Sequence, residues 1–73
     1  MNLPALIDRY NRIRPPDSEW LWLNQHRLAI AAGVSPSLVT RQIQGKRRIS
    51  RDQAERYARV LLATVEEVLD EAA

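Results

Sequence analysis

The side chains that could do chemistry in this 73-residue chain crowd into one interval. Ser35, Ser37, Thr40, Arg41 and Gln44 recur at the spacing of helical turns, and Lys46, Arg47 and Arg48 follow directly. Hydroxyls, an amide and guanidinium groups donate hydrogen bonds and positive charge, which suits an anionic surface rich in acceptors. They form no catalytic set: the chain has a single histidine, His26, and no cysteine. Between Glu19 and Asp52 there is no acidic residue, while Arg27, Arg41, Lys46, Arg47, Arg48 and Arg51 all fall there. Beyond Thr64 stand Glu66, Glu67, Asp70 and Glu71 with no base. A basic stripe along a helix is the electrostatic footprint of a phosphate-backbone partner. A solvated basic face has the same composition, and a net charge of +2 does not separate the two.

What must position these groups is the stretch from Gly33 to Gly45. Ser35 is a good N-cap, and Pro36 takes the first helical position, where a missing N–H costs nothing. Val34 before the cap and Val39 after it can close as a hydrophobic staple. Val39 and Ile43, four apart, give the predicted helix one narrow apolar edge, which leaves Ser37, Thr40, Arg41 and Gln44 pointing outward. Gly33 and Gly45 are stop signals on either side. A helix so thinly apolar is held by neighbours and offers its other faces to something polar, and that partner is expected to be DNA.

The neighbours are legible as further helices. Leu3, Leu6, Ile7, Tyr10 and Ile13 predict a first helix from about Pro4 to Ile13, stopped by Pro15-Pro16. Arg9, Arg12 and Arg14 sit toward its C-terminal half, where they suit the helix dipole or could graze a phosphate. Ser18 could open a short helical piece holding Trp20, Leu21 and Trp22. One tryptophan is expected to plug the core, and the other to form a lid or an anchor for a partner subunit. Asn24 caps a second helix, with Leu23 and Leu28 as its staple and Leu28, Ala29 and Ala32 as a small-residue face. His26 and Arg27 are expected to be solvated there, with His26 a possible phosphate neighbour. A basic loop follows Gly45, plugged by Ile49. Ser50 and Gln53 form a capping box that starts a fourth helix at Arg51, with Ala54, Tyr57, Ala58 and Leu61 inward. Arg51, Arg56 and Arg59 are expected to pair with Asp52 and Glu55. Thr64 and Glu67 form a second capping box, opening a last helix with Val65, Val68, Leu69 and Ala72 on one face. Nothing reads as a strand, a repeat or a low-complexity segment.

Asn24-Gln25, Leu28-Ala29, Gly33-Val34-Ser35-Pro36-Ser37, Val39, Arg41, Gly45-Lys46-Arg47 and Thr64-Val65-Glu66-Glu67-Val68-Leu69 together resemble the helix-turn-helix domain of phage Cro proteins and lambda-type repressors. The resemblance covers Leu23 to Leu69. It implies a five-helix, all-α, lambda-repressor-like domain whose third helix enters the major groove, usually as a dimer on a palindromic operator. By position it puts base reading on Pro36, Ser37 and Arg41, phosphate contact on Gln25, and loop contacts on Lys46 and Arg47. Three departures stand out. Pro36 cannot make the base hydrogen bond common at its place. Gln42 and Ile43 replace an apolar residue followed by glutamate. The link between the first two helices is longer and carries both tryptophans.

The expected architecture is therefore one domain, residues 1–73, with a helix-turn-helix at about 24–45. Arg41 would make a bidentate guanine contact, and Ser37 and Thr40 would bond a base edge or a phosphate. Leu38 would touch a thymine methyl or be a partly buried core residue. Gln25, Ser35, Gln44, Lys46, Arg47 and Arg48 would hold the phosphate backbone. The expected activity is sequence-specific binding of double-stranded DNA by a small phage or bacterial Cro-like repressor, a homodimer in the bacterial cytoplasm or an infected host. Either the last helix or the Trp20/Trp22 segment would form the dimer contact. A protein-interaction module, such as an antitoxin or anti-regulator, would use the tryptophans and need no basic stripe. An architectural or recombination-directing DNA binder would share the stripe and bend its DNA. No enzyme, metal site, cofactor, small-molecule ligand or membrane segment is expected: paired carboxylates in an apolar setting, a Gly-rich phosphate loop and a long apolar run are all missing.

Overall fold

None of the helices among the described residues is long enough to stand alone, so each depends on its ends and on one shared face. The computed structural model describes residues 2–13 and 22–69. They form α1 (Leu3–Ile13), α2 (Gln25–Ala32), α3 (Pro36–Ile43), α4 (Arg51–Leu61) and α5 (Val65–Leu69), with no strand among the described residues. The fold is all-α, as the periodicity predicts. The expected helical piece at Ser18–Leu21, with Trp20, and the positions of Arg14 and Ala72 lie outside the described residues. Helices under about 12–15 residues are marginal in water, and the longest here have 11.

Stability must then come from packing and capping. Leu6, Leu28, Ala29, Val39, Ala54, Tyr57 and Leu61 are wholly inaccessible, so α1 to α4 share one core, which Leu23 and Val68 complete. α4 is the hub, packing on α1, α2 and α5, while α2 also packs on α3. Small residues permit this: Ala29 and Ala32 on α2 and Ala54 and Ala58 on α4 are all buried.

The helix starts are closed by side chains in the places the sequence predicts. Asn24 Oδ1 accepts from Arg27 N at 2.8 Å, and Ser50 and Gln53 exchange hydrogen bonds at 3.1 Å each. Thr64 N donates to Glu67 Oε1 at 2.9 Å, and Glu67 N donates to Thr64 Oγ1 at 3.1 Å. Such caps contribute about 1 kcal/mol each. One further cap carries no capping-box signature: Asn2 Oδ1 accepts from Ala5 N at 2.9 Å, so α1 begins at Leu3, one residue before the predicted start.

Two contacts between distant residues set the angles between helices. Asn11 donates Nδ2 to Leu23 O at 2.9 Å and accepts Leu23 N at Oδ1 at 2.7 Å. This amide clasp seats the end of α1 beside the start of α2. Arg9 donates Nη1 and Nη2 to the two carboxylate oxygens of Glu67, joining α1 to α5. Arg9 thus faces an acid of another helix, and Arg12 pairs with Asp8 on its own helix at 2.9 Å. The hydrogen bond from Arg9, and then the Thr64 N–H, hold the Glu67 carboxyl down from its ordinary 4.5 to about 2.

A carboxyl whose pKa is lowered by folding adds stability above its unfolded value and loses it as pH falls toward the folded one. Glu67→Gln should therefore melt below wild type at neutral pH, and the gap should close as pH falls from about 4.5 to about 2. Thermal melts of both proteins across that range check it. The end of α4 offers a second test. Leu62 is 56% exposed and holds φ +55°, a left-handed conformation that disfavours a Cβ. Leu62→Gly should raise stability by up to about 1 kcal/mol in urea denaturation.

Candidate functional site

α3 is eight residues long, and its sequence divides it into an anchored side and an offered side. Ser35, in an extended conformation, accepts Ser37 N at Oγ at 3.2 Å, and Pro36 sets the first turn. Val39 is inaccessible and Ile43 is half-buried against the core. Ser37, Thr40, Arg41 and Gln44 are exposed. At three- and four-residue spacings they make one continuous outward ridge. The Thr40 hydroxyl donates back to Pro36 O at 3.2 Å, leaving its lone pairs to accept. Leu38 is half-buried yet stands apart from the core cluster, so its side chain borders the ridge.

Turns at both ends hold this ridge in place. Gly33 takes φ +72°, with its own N–H on Ile30 O at 3.2 Å and Val34 N on Ala29 O at 2.9 Å. Gly45 takes φ +79°, with its N–H on Gln42 O at 3.1 Å and Lys46 N on Arg41 O at 2.9 Å. These paired bonds satisfy the last carbonyls of each helix. From Gly45 the chain passes through exposed Lys46, Arg47 and Arg48 to Ile49, which is half-buried against the core as the predicted plug. Gln25 and His26 are exposed at the start of α2.

The charges are sorted in the same way. Arg9, Arg12 and Arg56 each face a carboxylate, Arg56 with Asp52 at 3.4 Å. Among the described residues Arg41, Lys46, Arg47, Arg48, Arg51 and Arg59 carry no ion pair. The expected pairing of the α4 arginines thus holds for Arg56 and fails for Arg51 and Arg59. Exposed pairs add little stability, but they cancel charge, and the cations left uncancelled include all four on the α3 ridge and its following loop.

Arg27 corrects another expectation. It is half-buried, with its guanidinium 5.1 Å from the centroid of the Trp22 ring and Nη1 donating to Trp22 O at 3.3 Å. Trp22 itself is 48% exposed, so it is not the core plug.

The residue the sequence pattern missed is Gln42. It is buried on the anchored side of α3, three residues from Val39. Its Oε1 accepts the Tyr57 hydroxyl at 2.6 Å, and its Nε2 donates to Gln53 Oε1 at 2.8 Å and to Arg48 O at 3.4 Å. The sequence holds a signal: Tyr57 falls on the predicted inward stripe of α4, and a buried tyrosine hydroxyl requires a partner. Burial pushes the Tyr57 phenol up from its ordinary value.

Among the described residues no group of three or more His, Cys, Asp or Glu could hold a metal ion, and no helix is long and apolar enough to cross a membrane. A shallow depression lined by Ile30, Gly33, Arg56, Arg59 and Val60 has no carboxylate or imidazole in its wall. No family model, curated protein or solved structure matches the chain.

The two stop glycines yield a prediction free of packing effects. A Cβ at Gly33 would meet only Arg56 Nη1, at an ordinary 3.8 Å, and one at Gly45 would meet nothing within 4 Å. Gly33→Ala and Gly45→Ala should each cost about 1–2 kcal/mol through backbone strain alone. Asparagine should recover part of that, and urea denaturation midpoints check both.

Proposed function

We propose that this chain is a sequence-specific, double-stranded DNA-binding transcriptional regulator. In this reading α2, the Gly33 turn and α3 are a lambda-repressor-like helix-turn-helix, with α3 lying in the major groove of an operator. The observation that carries the reading is the outward ridge of α3, continuous with the Lys46–Arg48 loop, whose cations face no acid of their own among the described residues. A helix with its side chains is about 10–12 Å across, and the major groove is about 12 Å wide.

The roles follow from side-chain geometry. Arg41 presents a planar fork to guanine O6 and N7, a contact contributing about 1–3 kcal/mol of discrimination. Ser37 and Thr40 reach base edges, and Leu38 at the border meets a thymine methyl. Gln25, Ser35, Gln44, Lys46, Arg47 and Arg48 contact phosphates, which fixes the protein on the duplex without reading sequence. One small module gives limited area and specificity, so a homodimer on a palindrome belongs to the proposal. Its half-sites would lie about 34 Å apart.

Selection of bound duplexes from a random pool, with sizing of the free and bound protein, tests this. Wild type should enrich a two-fold symmetric site. Arg41→Ala should relax preference at one base pair of each half-site. Arg48→Ala keeps the carbonyl that Gln42 uses, and should weaken all sequences alike and lower the salt slope by about 1. An unchanged preference in Arg41→Ala would overturn the guanine contact.

A further inference from the structure

Gln42 is an expensive choice for its place. A leucine of similar bulk would fill the same space without burying an amide, and apolar contact alone would hold α3 against the core. Apolar contact is non-directional, however, and a helix gripped only by Val39 and Ile43 is free to roll about its axis. Hydrogen bonds fix angle as well as distance.

The bonds around Gln42 form a relay that can be satisfied in one sense only. Ser50 N, a backbone donor, occupies Gln53 Oε1 at 3.1 Å, so that atom is the oxygen. The Gln42 atom 2.8 Å from the same oxygen must then be the donor, Nε2. Its oxygen is left to accept from the Tyr57 hydroxyl at 2.6 Å. The remaining Nε2 hydrogen points to Arg48 O at 3.4 Å, inside the basic loop. One side chain on α3 therefore bonds to the start of α4, to its middle, and to the loop between α3 and α4.

We propose that Gln42 is the positioning residue that sets the roll of α3 and the course of the Lys46–Arg48 loop together, so that base reading and phosphate contact are held in register. This inference rests on the DNA-reading assignment of α3. Gln42 touches no base; it acts through Arg41, its neighbour in the chain, and through Arg48, whose carbonyl it holds. A roll of about 20° moves side-chain ends by about 2 Å, whereas a productive bidentate contact tolerates about 0.5 Å.

The test separates positioning from stability. Gln42→Leu strands the Tyr57 hydroxyl and should lower the melting temperature. Gln42→Leu with Tyr57→Phe strands no buried hydroxyl and should regain much of the stability. It should nevertheless discriminate about tenfold less than wild type at the base pair read by Arg41, within the range of one bidentate contact. In the free double variant, amide hydrogen exchange at residues 45–48 should speed up while exchange in α4 stays slow. Should Gln42→Leu alone fail to fold, the double variant carries the test. If the double variant folds, selects the same sites as sharply as wild type and keeps slow loop exchange, Gln42 only fills space and the inference fails. If wild type itself enriches no sequence, the DNA-binding assignment fails, and Gln42 loses its proposed purpose with it.

Discussion

The five helices of the described residues, 5 to 11 residues long, cannot persist singly, and that shortage of length governs how they are held. Each helix must have its ends closed and one face buried against its neighbours. Asn2, Asn24, Ser35, Ser50 and Thr64 are spent on starts, while Gly33, Gly45 and Leu62 turn the chain at ends. Directional contacts at the termini and non-directional contacts in the core thus divide the task. The core alone would leave the angles between helices loose. The Asn11–Leu23 clasp and the Arg9–Glu67 pair fix them, because each joins elements whose shared apolar surface is small.

The same economy explains the candidate site. Glu67 closes the start of α5 and ties it to α1, while Asp8 and Asp52 pair within their own helices. From Leu23 to Ser50 no acid is present, so the caps there are the neutral side chains of Asn24, Ser35 and Ser50. The cations of that interval consequently meet no carboxylate from their own elements. Arg27 is the exception that finds another partner, the face of Trp22, which leaves Arg41 and the Lys46–Arg48 loop as the concentration of uncancelled charge.

Most of the local architecture can be read from the chain because its signals lie within one turn of each other. A cap and its acceptor are two or three residues apart, and a stop glycine acts on the turn before it. The outward ridge of α3 was legible for the same reason, since Val39 and Ile43 fix which side is buried. What could not be read are bonds between residues remote in sequence: Arg9 with Glu67, 58 positions on, Asn11 with Leu23, 12 on, and Gln42 with Tyr57, 15 on. Polarity is also a poor guide to burial at two positions. Gln42 belongs with solvent by type, and only the need of the Tyr57 hydroxyl draws it inward. Arg27 belongs with solvent by charge, and only an adjacent aromatic face half-buries it.

Gln42 and Arg27 mark where the molecule departs from cheapest packing. A three-residue anchored side on α3 leaves a broad outward ridge, which suits reading a surface but grips the core weakly. Widening the grip with another apolar residue would restore adhesion without restoring direction, since methyl groups slide where amides cannot. Placing an amide on the third anchored position gives the short helix both a seat and an orientation. It also binds the following loop, so the ridge and the basic segment move as one body. A longer helix could have reached the same rigidity through more turns of contact, and the eight residues of α3 make only about two.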